Sequence, residues 1–319
     1  MDAPTLCTIG ELLVEFVSHK KGCGLRTIAD YSGPYPSGAP AIFLDQAARM
    51  GARTRMYGGL GEDGFGQLLR DRLDRDGVGT EGVENVPGRT TGTAFVSYYD
   101  DGRRDFIFHL ANTAADGFSF DAGTLPDGDL VLHVSAASLG AAPLRHAIMR
   151  GVEAVLSRGG RITCDPNARP ELLRDDAARE ALEYVVARSW CLMPSTSDLG
   201  FLYPDLDESA AIDRLLDSSA EIVAVKRGAG GATLVGHGER HDLPGHAVTE
   251  IDPTGAGDGF CGTLVALLLQ GRPLAEAGRL ANAAGAIAVT RRGPMEGNST
   301  PAEIEAFLAS SLNPEGKSA

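Results

Sequence analysis

Several residue classes are scarce in this chain of 319 residues, and each shortage argues against a class of protein. Lys and Arg number 29 against 43 Asp and Glu, so the formal net charge is −14. That charge argues against the basic face that nucleic-acid binding needs. The longest apolar run, residues 263–269, is far too short to cross a bilayer. The first residues lack the basic segment of a signal peptide, so we expect none, and neither nucleic acid nor membrane as a partner.

Cysteine is also scarce, and its pattern bears on location. The five cysteines are odd in number and contain no CxxC pair. They predict reduced thiols in a cytoplasmic protein rather than a disulfide framework or a zinc site. Repeats, low-complexity segments and interdomain linkers are missing too, so we expect one domain over residues 1–312 and a flexible tail at residues 313–319.

Short apolar runs alternate with longer segments of helical period along the chain. This pattern predicts an α/β fold with a mostly parallel central sheet flanked by helices in three αβα layers. The predicted strands cover residues 6–14, 54–57, 162–164, 190–193 and 222–225. Helices are predicted over residues 40–50, 65–75, 259–270, 274–289 and 301–310, which makes the last third helical.

One region departs from this alternation. Residues 93–99 and 104–109 alternate between apolar and polar types around an Asp-Gly turn, which is typical of a β-hairpin. A hairpin inserted in an α/β chain usually leaves the main sheet, so we predict a small β lid. We assign residues 11–32 and 92–110 to this lid, with its other strands at residues 11–18 and 25–30.

The most informative segment reads Asp-Pro-Thr-Gly-Ala-Gly-Asp-Gly at residues 252–259, directly before an apolar stretch. A helix start offers free N–H groups and a positive dipole end that hold an anion. Gly255, Ala256 and Gly257 let the anion approach the backbone closely, and Asp258 lies beside it as a candidate base or metal-associated carboxylate. The plain alternative is a capped helix, but this run exceeds what a cap requires. The segment therefore indicates phosphoryl transfer.

Two other nucleotide motifs are weak or missing. Residues 59–64 match GxGxxG, but they follow a very short strand and have no acidic partner at the expected distance. We interpret them as a tight turn that leads into a helix. The chain contains no GxxxxGK[ST] sequence, which excludes a Walker-type site.

The chain resembles the ribokinase-like (PfkB) carbohydrate kinases over most of its length, and residues 252–259 resemble the second signature of that family. Other matching segments follow in the family's order. They are residues 10–15 (first strand), 37–41 (sugar-pocket helix start), 58–66 (Gly-rich turn), 165–169 (the Asp-x-Asn-x-Arg motif of fructokinases and 2-keto-3-deoxygluconate kinases), 225–228 with Gly231 (nucleotide-binding strand and turn) and 288–293 (cation loop).

The resemblance implies an ATP-dependent kinase that uses Mg²⁺ and, as in many members, K⁺. Asp258 would accept the proton of a primary sugar hydroxyl, and backbone N–H groups of Gly255, Ala256 and Gly257 would stabilise the transferred group. The implied sugar-binding residues are Glu11, Glu15, Gly38, Ala39, Asp45, Tyr98, Phe106, Asn167, Arg169 and Asp258. The implied nucleotide-binding residues are Ser195, Lys226, Gly228, Gly231, Gly255, Gly257 and Asn282. Asp198 is the candidate magnesium ligand, and Asp252, Thr254, Ala288 and Gly293 are the candidate monovalent-cation residues.

This chain departs from the family pattern around the sugar. Ile42 stands where the sugar-pocket motif usually has an asparagine, and an isoleucine cannot hydrogen-bond a hydroxyl. Asp45, one turn further along the same helix, is a candidate substitute. Glu15 replaces an aspartate that is common in fructokinase-like members. The family's Asn-x-x-Glu motif is replaced by Ser-Thr-Ser-Asp, which ends at Asp198.

The sequence leaves several side-chain roles open. Tyr98, Phe106 and Phe108 either cover the sugar or pack the hairpin face. Arg169 either contacts the substrate or is an exposed charge on a loop. Lys226 is either a charge at a strand end or a contact to phosphate or ribose.

The substrate also stays open at this point. Residues 33–43 look most like tagatose-type ketohexose kinases, so the expected acceptor is a ketose such as tagatose. A 2-keto-3-deoxy sugar acid, with Arg169 on its carboxylate, is the next candidate. Fructokinase, nucleoside kinase and a non-catalytic sugar sensor are the alternatives. An exposed hairpin sheet would also suit a homodimer formed through the lid.

Overall fold

A computed structural model describes residues 3–100, 103–168, 173 and 175–312 of the chain, with side chains to residue 310. The predicted flexible tail at residues 313–319 and the candidate site residue Arg169 lie outside the described residues. Among the helices described, none combines the length and the apolar character that crossing a membrane requires.

The strands form two separate sheets. In chain order they are β1 (Thr5–Ile9), β2 (Leu13–Ser18), β3 (Tyr31–Ser37), β4 (Thr54–Leu60), β5 (Gly82–Asn85), β6 (Gly92–Tyr98), β7 (Arg104–His109), β8 (Leu130–Ser135), β9 (Arg161–Asp165), β10 (Ser189–Leu192), β11 (Ile222–Lys226), β12 (Ala232–Gly236) and β13 (Glu239–Leu243). The α-helices are α1 (Ala39–Arg49), α2 (Gly64–Arg75), α3 (Ala114–Gly117), α4 (Ala142–Ser157), α5 (Asp176–Arg188), α6 (Thr196–Leu202), α7 (Glu208–Leu216), α8 (Ala256–Leu269), α9 (Leu274–Ala288) and α10 (Pro301–Leu312).

The large sheet has the strand order β13-β12-β11-β10-β9-β8-β1-β4-β5. The strands from β11 to β5 run parallel, and β12 and β13 add an antiparallel edge. Parallel strands bring their carboxyl ends to one edge of a sheet, where ligands bind in open α/β folds. Asp165 at the end of β9 and Lys226 at the end of β11 meet at this edge.

Helices cover both faces of the large sheet, because successive strand side chains point to opposite faces. On β1, Leu6 packs in an apolar cluster with α1, α8 and α9. The next residue, Cys7, packs in the other cluster with α4, α5 and α7. This alternation produces the three layers, and the predicted fold class is confirmed.

The small sheet has the strand order β3-β2-β6-β7, and β6 and β7 form the hairpin that the sequence predicts. Two strand predictions are wrong here. The single strand expected at residues 6–14 is two strands, β1 and β2, which belong to different sheets. The lid strand expected at residues 25–30 is replaced by a 3-10 turn at Gly24–Arg26, and the strand is β3. β3 contains two prolines, and it tolerates them because it lies at the edge of its sheet.

The expectation of a helical last third is also incomplete, because two strands that were not predicted, β12 and β13, lie between β11 and α8. β13 reads Glu-Arg-His-Asp-Leu and is mostly exposed at the sheet edge. A polar edge strand lacks the apolar pattern by which a strand is recognised in a sequence.

Candidate active site

The candidate site is built around the start of α8. Residues 252–257, which we call the anion loop, lead into this helix, and every residue from Asp258 to Leu267 is buried. Gly255 has a positive φ of 83°, and a Cβ at this position would lie 2.2 Å from the carbonyl oxygen of Pro294. Only glycine fits this turn. The backbone before α8 therefore packs directly against the backbone of Pro294.

Two cavities flank the anion loop. The inner cavity has a volume of about 110 Å³ and lies beneath the small sheet, where Thr254, Gly255 and Asp258 form part of its wall. The outer cavity has a volume of about 610 Å³, and Ala256 and Gly257 form part of its wall. A small molecule in the inner cavity and a larger one in the outer cavity would therefore meet at the start of α8.

The inner cavity brings together most of the predicted sugar-binding residues: Glu11, Glu15, Gly38, Ala39, Phe106, Asn167 and Asp258. Ser138, which the sequence analysis did not single out, donates a hydrogen bond of 2.6 Å to Glu11. Ser37 donates one of 3.4 Å to Glu15. Gly38 has a φ of 109°, and a Cβ there would lie 2.4 Å from the carbonyl oxygen of Glu11. The cavity is thus rich in carboxylate oxygens, which accept hydrogen bonds from hydroxyl groups.

Asn167 reaches the inner cavity from the end of β9. Its φ is 36°, a conformation that asparagine tolerates better than most residues. Its backbone N–H donates a 3.1 Å hydrogen bond to Asp165, which closes this tight turn. The Asp-x-Asn spacing therefore has a local reason: the aspartate holds the loop, and the asparagine side chain faces the cavity.

The outer cavity brings together the predicted nucleotide-binding residues: Ser195, Lys226, Gly228, Gly231, Gly257 and Asn282. Gly255, which was also predicted to bind the nucleotide, lines the inner cavity instead, and this prediction is corrected. A Cβ on Gly257 would lie 3.6 Å from the ammonium nitrogen of Lys226, so this cation sits directly beneath the anion loop. Burial lowers the pKa of Lys226, but the adjacent Asp165 charge raises it well above its ordinary value, so the ammonium stays protonated.

The apolar wall of the outer cavity and one arginine were not predicted from the sequence. Val248, Phe260 and Val289 form part of this wall, and they come from three distant segments of the chain. No local pattern in the sequence links them. Arg104, the first residue of β7, lines both cavities.

Asp45 does not lie where a replacement for the missing asparagine would have to be. It is fully buried, 3.4 Å from Arg72 in an ion pair, and it accepts a 2.6 Å hydrogen bond from Asn298. The prediction of Asp45 as a sugar ligand is wrong, because its side chain faces α2 and the residues before α10 instead of the inner cavity. Ile42 itself lines that cavity and presents an apolar surface to it.

Tyr98 also differs from its predicted role, because it lines neither cavity. Its hydroxyl donates a hydrogen bond to the Asp252 carboxylate and lies 2.6 Å from the Thr254 hydroxyl oxygen. Burial and then the Asp252 charge raise the pKa of Tyr98 far above its usual range, so the phenol stays protonated as a donor. Phe106 and Phe108, in contrast, line the inner cavity.

The predicted metal residues do not form a protein cage. The Asp198 carboxylate accepts hydrogen bonds from the backbone N–H groups of Ala168 and Ser195, both at 2.6 Å, and from the Ser195 hydroxyl at 2.7 Å. It caps α6 and does not suit direct magnesium ligation. No group of three or more His, Cys, Asp and Glu side chains converges within the described part of the chain. Such a site fits an Mg²⁺ that is held by phosphates and water.

The candidate cation residues lie at one corner of the site. The Asp252 carboxylate accepts hydrogen bonds from the backbone N–H groups of Thr254 at 3.0 Å and Gly293 at 2.9 Å. It also accepts the hydrogen bond from the Tyr98 hydroxyl. Ala288 is buried nearby at the end of α9. A monovalent cation here would depend on backbone carbonyls, since the Asp252 carboxylate already accepts these hydrogen bonds.

Comparison with known proteins agrees with this geometry. The chain matches the pfkB family of carbohydrate kinases over residues 3–301. A fructokinase from Vibrio alginolyticus is 32% identical over 282 residues, which cover 86% of this chain and 91% of that enzyme. An E.coli protein provisionally named ribokinase II, solved with ATP and Mg²⁺, superposes with a TM-score of 0.89 at 40% identity and covers 96% of this chain and 99% of that one.

A fructokinase from Vibrio cholerae O395 was solved with fructose, ADP and calcium. It superposes with a TM-score of 0.81 at 25% identity and covers 96% of this chain and 100% of that one. A double mutant of the same enzyme was solved with potassium. The chain therefore belongs to the pfkB family of carbohydrate kinases, which are ATP-dependent phosphotransferases that act on sugar hydroxyls.

Proposed function

We propose that this kinase transfers the γ-phosphate of ATP to a primary hydroxyl of a ketohexose, with fructose and tagatose as the acceptors to test first. One observation carries the proposal. Asp258 faces the inner cavity, while its neighbour Gly257 faces the outer cavity across the same helix start. An acceptor hydroxyl and a terminal phosphate placed on the two sides would be adjacent, as phosphoryl transfer requires.

In this proposal Asp258 accepts the proton of the attacking hydroxyl. A carboxylate is a sufficient base, because a loose phosphoryl-transfer transition state needs little proton removal before the new bond forms. The backbone N–H groups at the start of α8 and the ammonium of Lys226 stabilise negative charge on the phosphate oxygens. Mg²⁺, bound to the phosphates, neutralises further charge.

The inner cavity supports a neutral, hydroxyl-rich acceptor. The carboxylates of Glu11 and Glu15 offer hydrogen-bond acceptors and would repel an anionic sugar. The fructokinases named above are consistent with a ketohexose. A 2-keto-3-deoxy sugar acid is the second candidate, favoured by Arg104, whose guanidinium could bind a carboxylate in the same cavity.

We also propose that the small sheet is the lid of a single kinase domain over residues 1–312, and that two copies pair through it. Ile107 on β7 is 45% exposed on the face opposite the cavity, which supports such a pairing. The five free thiols, four of them buried, support a cytoplasmic location. Light scattering of the purified protein and of Ile107→Glu would test the dimer, and a wild-type monomer would reject it.

The substrate proposal is tested by ATP turnover on fructose, tagatose, ribose, 2-keto-3-deoxygluconate and adenosine. We expect the highest kcat/KM for a ketohexose. We expect Asp258→Asn to lose about three orders of magnitude in kcat while sugar binding by calorimetry is kept. Preference for the sugar acid would favour the second candidate. A protein that binds sugar but turns over no faster than Asp258→Asn would be a sensor, and the kinase proposal would fail.

A further inference from the structure

The end of the β6–β7 hairpin is attached to the anion loop. Tyr98 and Arg104 are directly opposite each other in the antiparallel register of these two strands, so their side chains share one face of the small sheet. That face is turned toward the site, because Arg104, Phe106 and Phe108 alternate along β7 and all line the inner cavity. The hairpin end therefore approaches the site with a phenol and a guanidinium side by side.

Tyr98 holds this end in place. Its side chain is 8% exposed, and its hydroxyl bonds to both Asp252 and Thr254, the residues on either side of Pro253 at the start of the anion loop. Asp252 is 1% exposed and is held in turn by the backbone N–H of Gly293. A hydrogen bond between a buried phenol and a buried carboxylate is a specific contact. If either group were removed, the other would be a buried polar group with an unsatisfied hydrogen bond, which costs free energy.

Arg104 is placed where the two cavities meet. It lines the inner cavity beside Asp258 and the outer cavity beside Gly257 and Lys226. Among the residues that the structure describes, its guanidinium has no carboxylate partner, although acidic side chains line the inner cavity. An exposed arginine with free donors at this boundary suits an anion that lies between the cavities.

We propose that Arg104 is a further catalytic residue that binds the phosphoryl group in transfer, and that Tyr98 is the positioning residue that fastens the hairpin end so that Arg104 reaches it. This inference rests on the proposed function. It adds a contribution from the small sheet to the charge stabilisation that the anion loop and Lys226 supply. Because the sheet also covers the acceptor, closure over the sugar and completion of the phosphate site become one event.

The test compares Arg104→Met, Arg104→Lys and Tyr98→Phe with a neighbouring control, Arg103→Met. Arg103 stacks over the ring of Tyr99 at 4.7 Å and lines neither cavity. With the preferred sugar, we expect Arg104→Met to lower kcat by about 100-fold and to change the sugar KM by less than about three-fold. Arg104→Lys should lose only about ten-fold, because it keeps the charge without the planar fork. Arg103→Met should match the wild type.

Tyr98→Phe separates positioning from a general structural effect. We expect it to lower kcat by about ten-fold with both KM values nearly unchanged, and to have no further effect in the Arg104→Met background, since Tyr98 acts through Arg104. If the kcat losses of Tyr98→Phe and Arg104→Met multiply in the double variant, the two residues act independently, which would contradict this coupling. A loss confined to sugar KM would show that Arg104 binds the sugar, and an Arg104→Met enzyme like Arg103→Met would overturn the proposal.

A readout that does not need the correct sugar is the calorimetric affinity for Mg·ATP and Mg·ADP. We expect Arg104→Met to weaken ATP binding by about ten-fold and to leave ADP binding unchanged, because only ATP places a phosphate at the boundary. Equal weakening of both nucleotides would overturn the inference. If no sugar is phosphorylated yet ATP is selectively weakened, the substrate proposal fails while the role of Arg104 stands.

Discussion

The ammonium group of Lys226 donates a hydrogen bond to the carboxylate of Asp165, two strands away across the carboxyl edge of the large sheet. The same ammonium lies 3.4 Å from the Cys261 sulfur in α8 and lines the outer cavity. The pair thus connects β9, β11 and α8 at the point where both cavities approach the anion loop. It combines a structural contact with a positive charge at the outer cavity, where we propose that the phosphates of ATP bind.

We expect Lys226→Met to destabilise the fold and to impair catalysis. Asp165 is 3% exposed, so removal of its cation leaves a buried charge unpaired, which costs about 3 kcal/mol in the free energy of unfolding. The lost charge beneath the anion loop should lower kcat about 100-fold. Urea denaturation and ATP turnover measure the two effects.

The double variant Lys226→Met/Asp165→Asn separates the two effects. It should recover most of the stability, since no buried charge is left unpaired, and it should stay impaired in turnover. Recovery of both stability and turnover in the double variant would mean that Lys226 acts only as the partner of Asp165.

The glycines of the anion loop should respond differently to alanine. Gly255→Ala would place a Cβ 2.2 Å from a backbone carbonyl at a positive φ, so we expect a loss of about 2 kcal/mol in stability together with reduced activity. Gly257→Ala has room in the protein itself, with its nearest neighbour at 3.6 Å, and alanine favours the helix. It should fold normally and raise the KM for ATP, because its methyl group enters the phosphate site. A Gly257→Ala enzyme with normal ATP kinetics would place the phosphate elsewhere.

Asp45 should matter for stability and not for sugar binding. Asp45→Ala leaves Arg72, which is 6% exposed, without one of its buried carboxylates, and we expect a loss of about 3 kcal/mol. Asp45→Asn keeps an oxygen acceptor and should lose less. Calorimetric sugar affinity should be unchanged in both variants. A selective rise in the sugar Kd of Asp45→Asn would show that Asp45 contributes to sugar binding after all.

Stability at low pH should depend in part on Asp63, which caps α2. Burial raises its pKa, but hydrogen bonds from the backbone N–H groups of Thr91 and Gly66 and from the Thr91 hydroxyl bring the pKa below its ordinary value of 3.8. A depressed carboxyl pKa stabilises the folded state above the unfolded pKa, and this stabilisation is lost as the pH falls through the folded value. We therefore expect Asp63→Asn to be less stable than the wild type at pH 7.

Urea denaturation at pH 7 and at about pH 3 measures this contribution, and the difference between wild type and Asp63→Asn should shrink in acid. Asp63→Ala, which also removes the cap, should lose about 1 kcal/mol at pH 7. A difference that is constant with pH would show that the charge of Asp63 contributes nothing.

Local patterns predicted the helices well. α1, α2 and α9 begin and end within about one residue of their expected limits, because capping residues, glycines and the 3.6-residue period act within the segment itself. Residues 6–14 could not be divided in the same way. Gly10 and Glu11 interrupt the apolar residues, but they do not show that the two halves separate. Only the pairing partners, β4 and β8 on one side and β3 and β6 on the other, assign the halves to different sheets.

The sequence by itself determined the candidate reaction centre, because residues 252–259 encode the turn, the helix start and the carboxylate within one short segment whose conformation is local. It could not determine the roles of Tyr98, Arg104 and Asp45. Each depends on partners that lie far away in the chain: Tyr98 bonds to Asp252, Asp45 pairs with Arg72, and Arg104 reaches both cavities. Only the tertiary structure brings the small sheet onto the anion loop, since contacts between distant segments are set by packing and leave no periodic trace in the sequence.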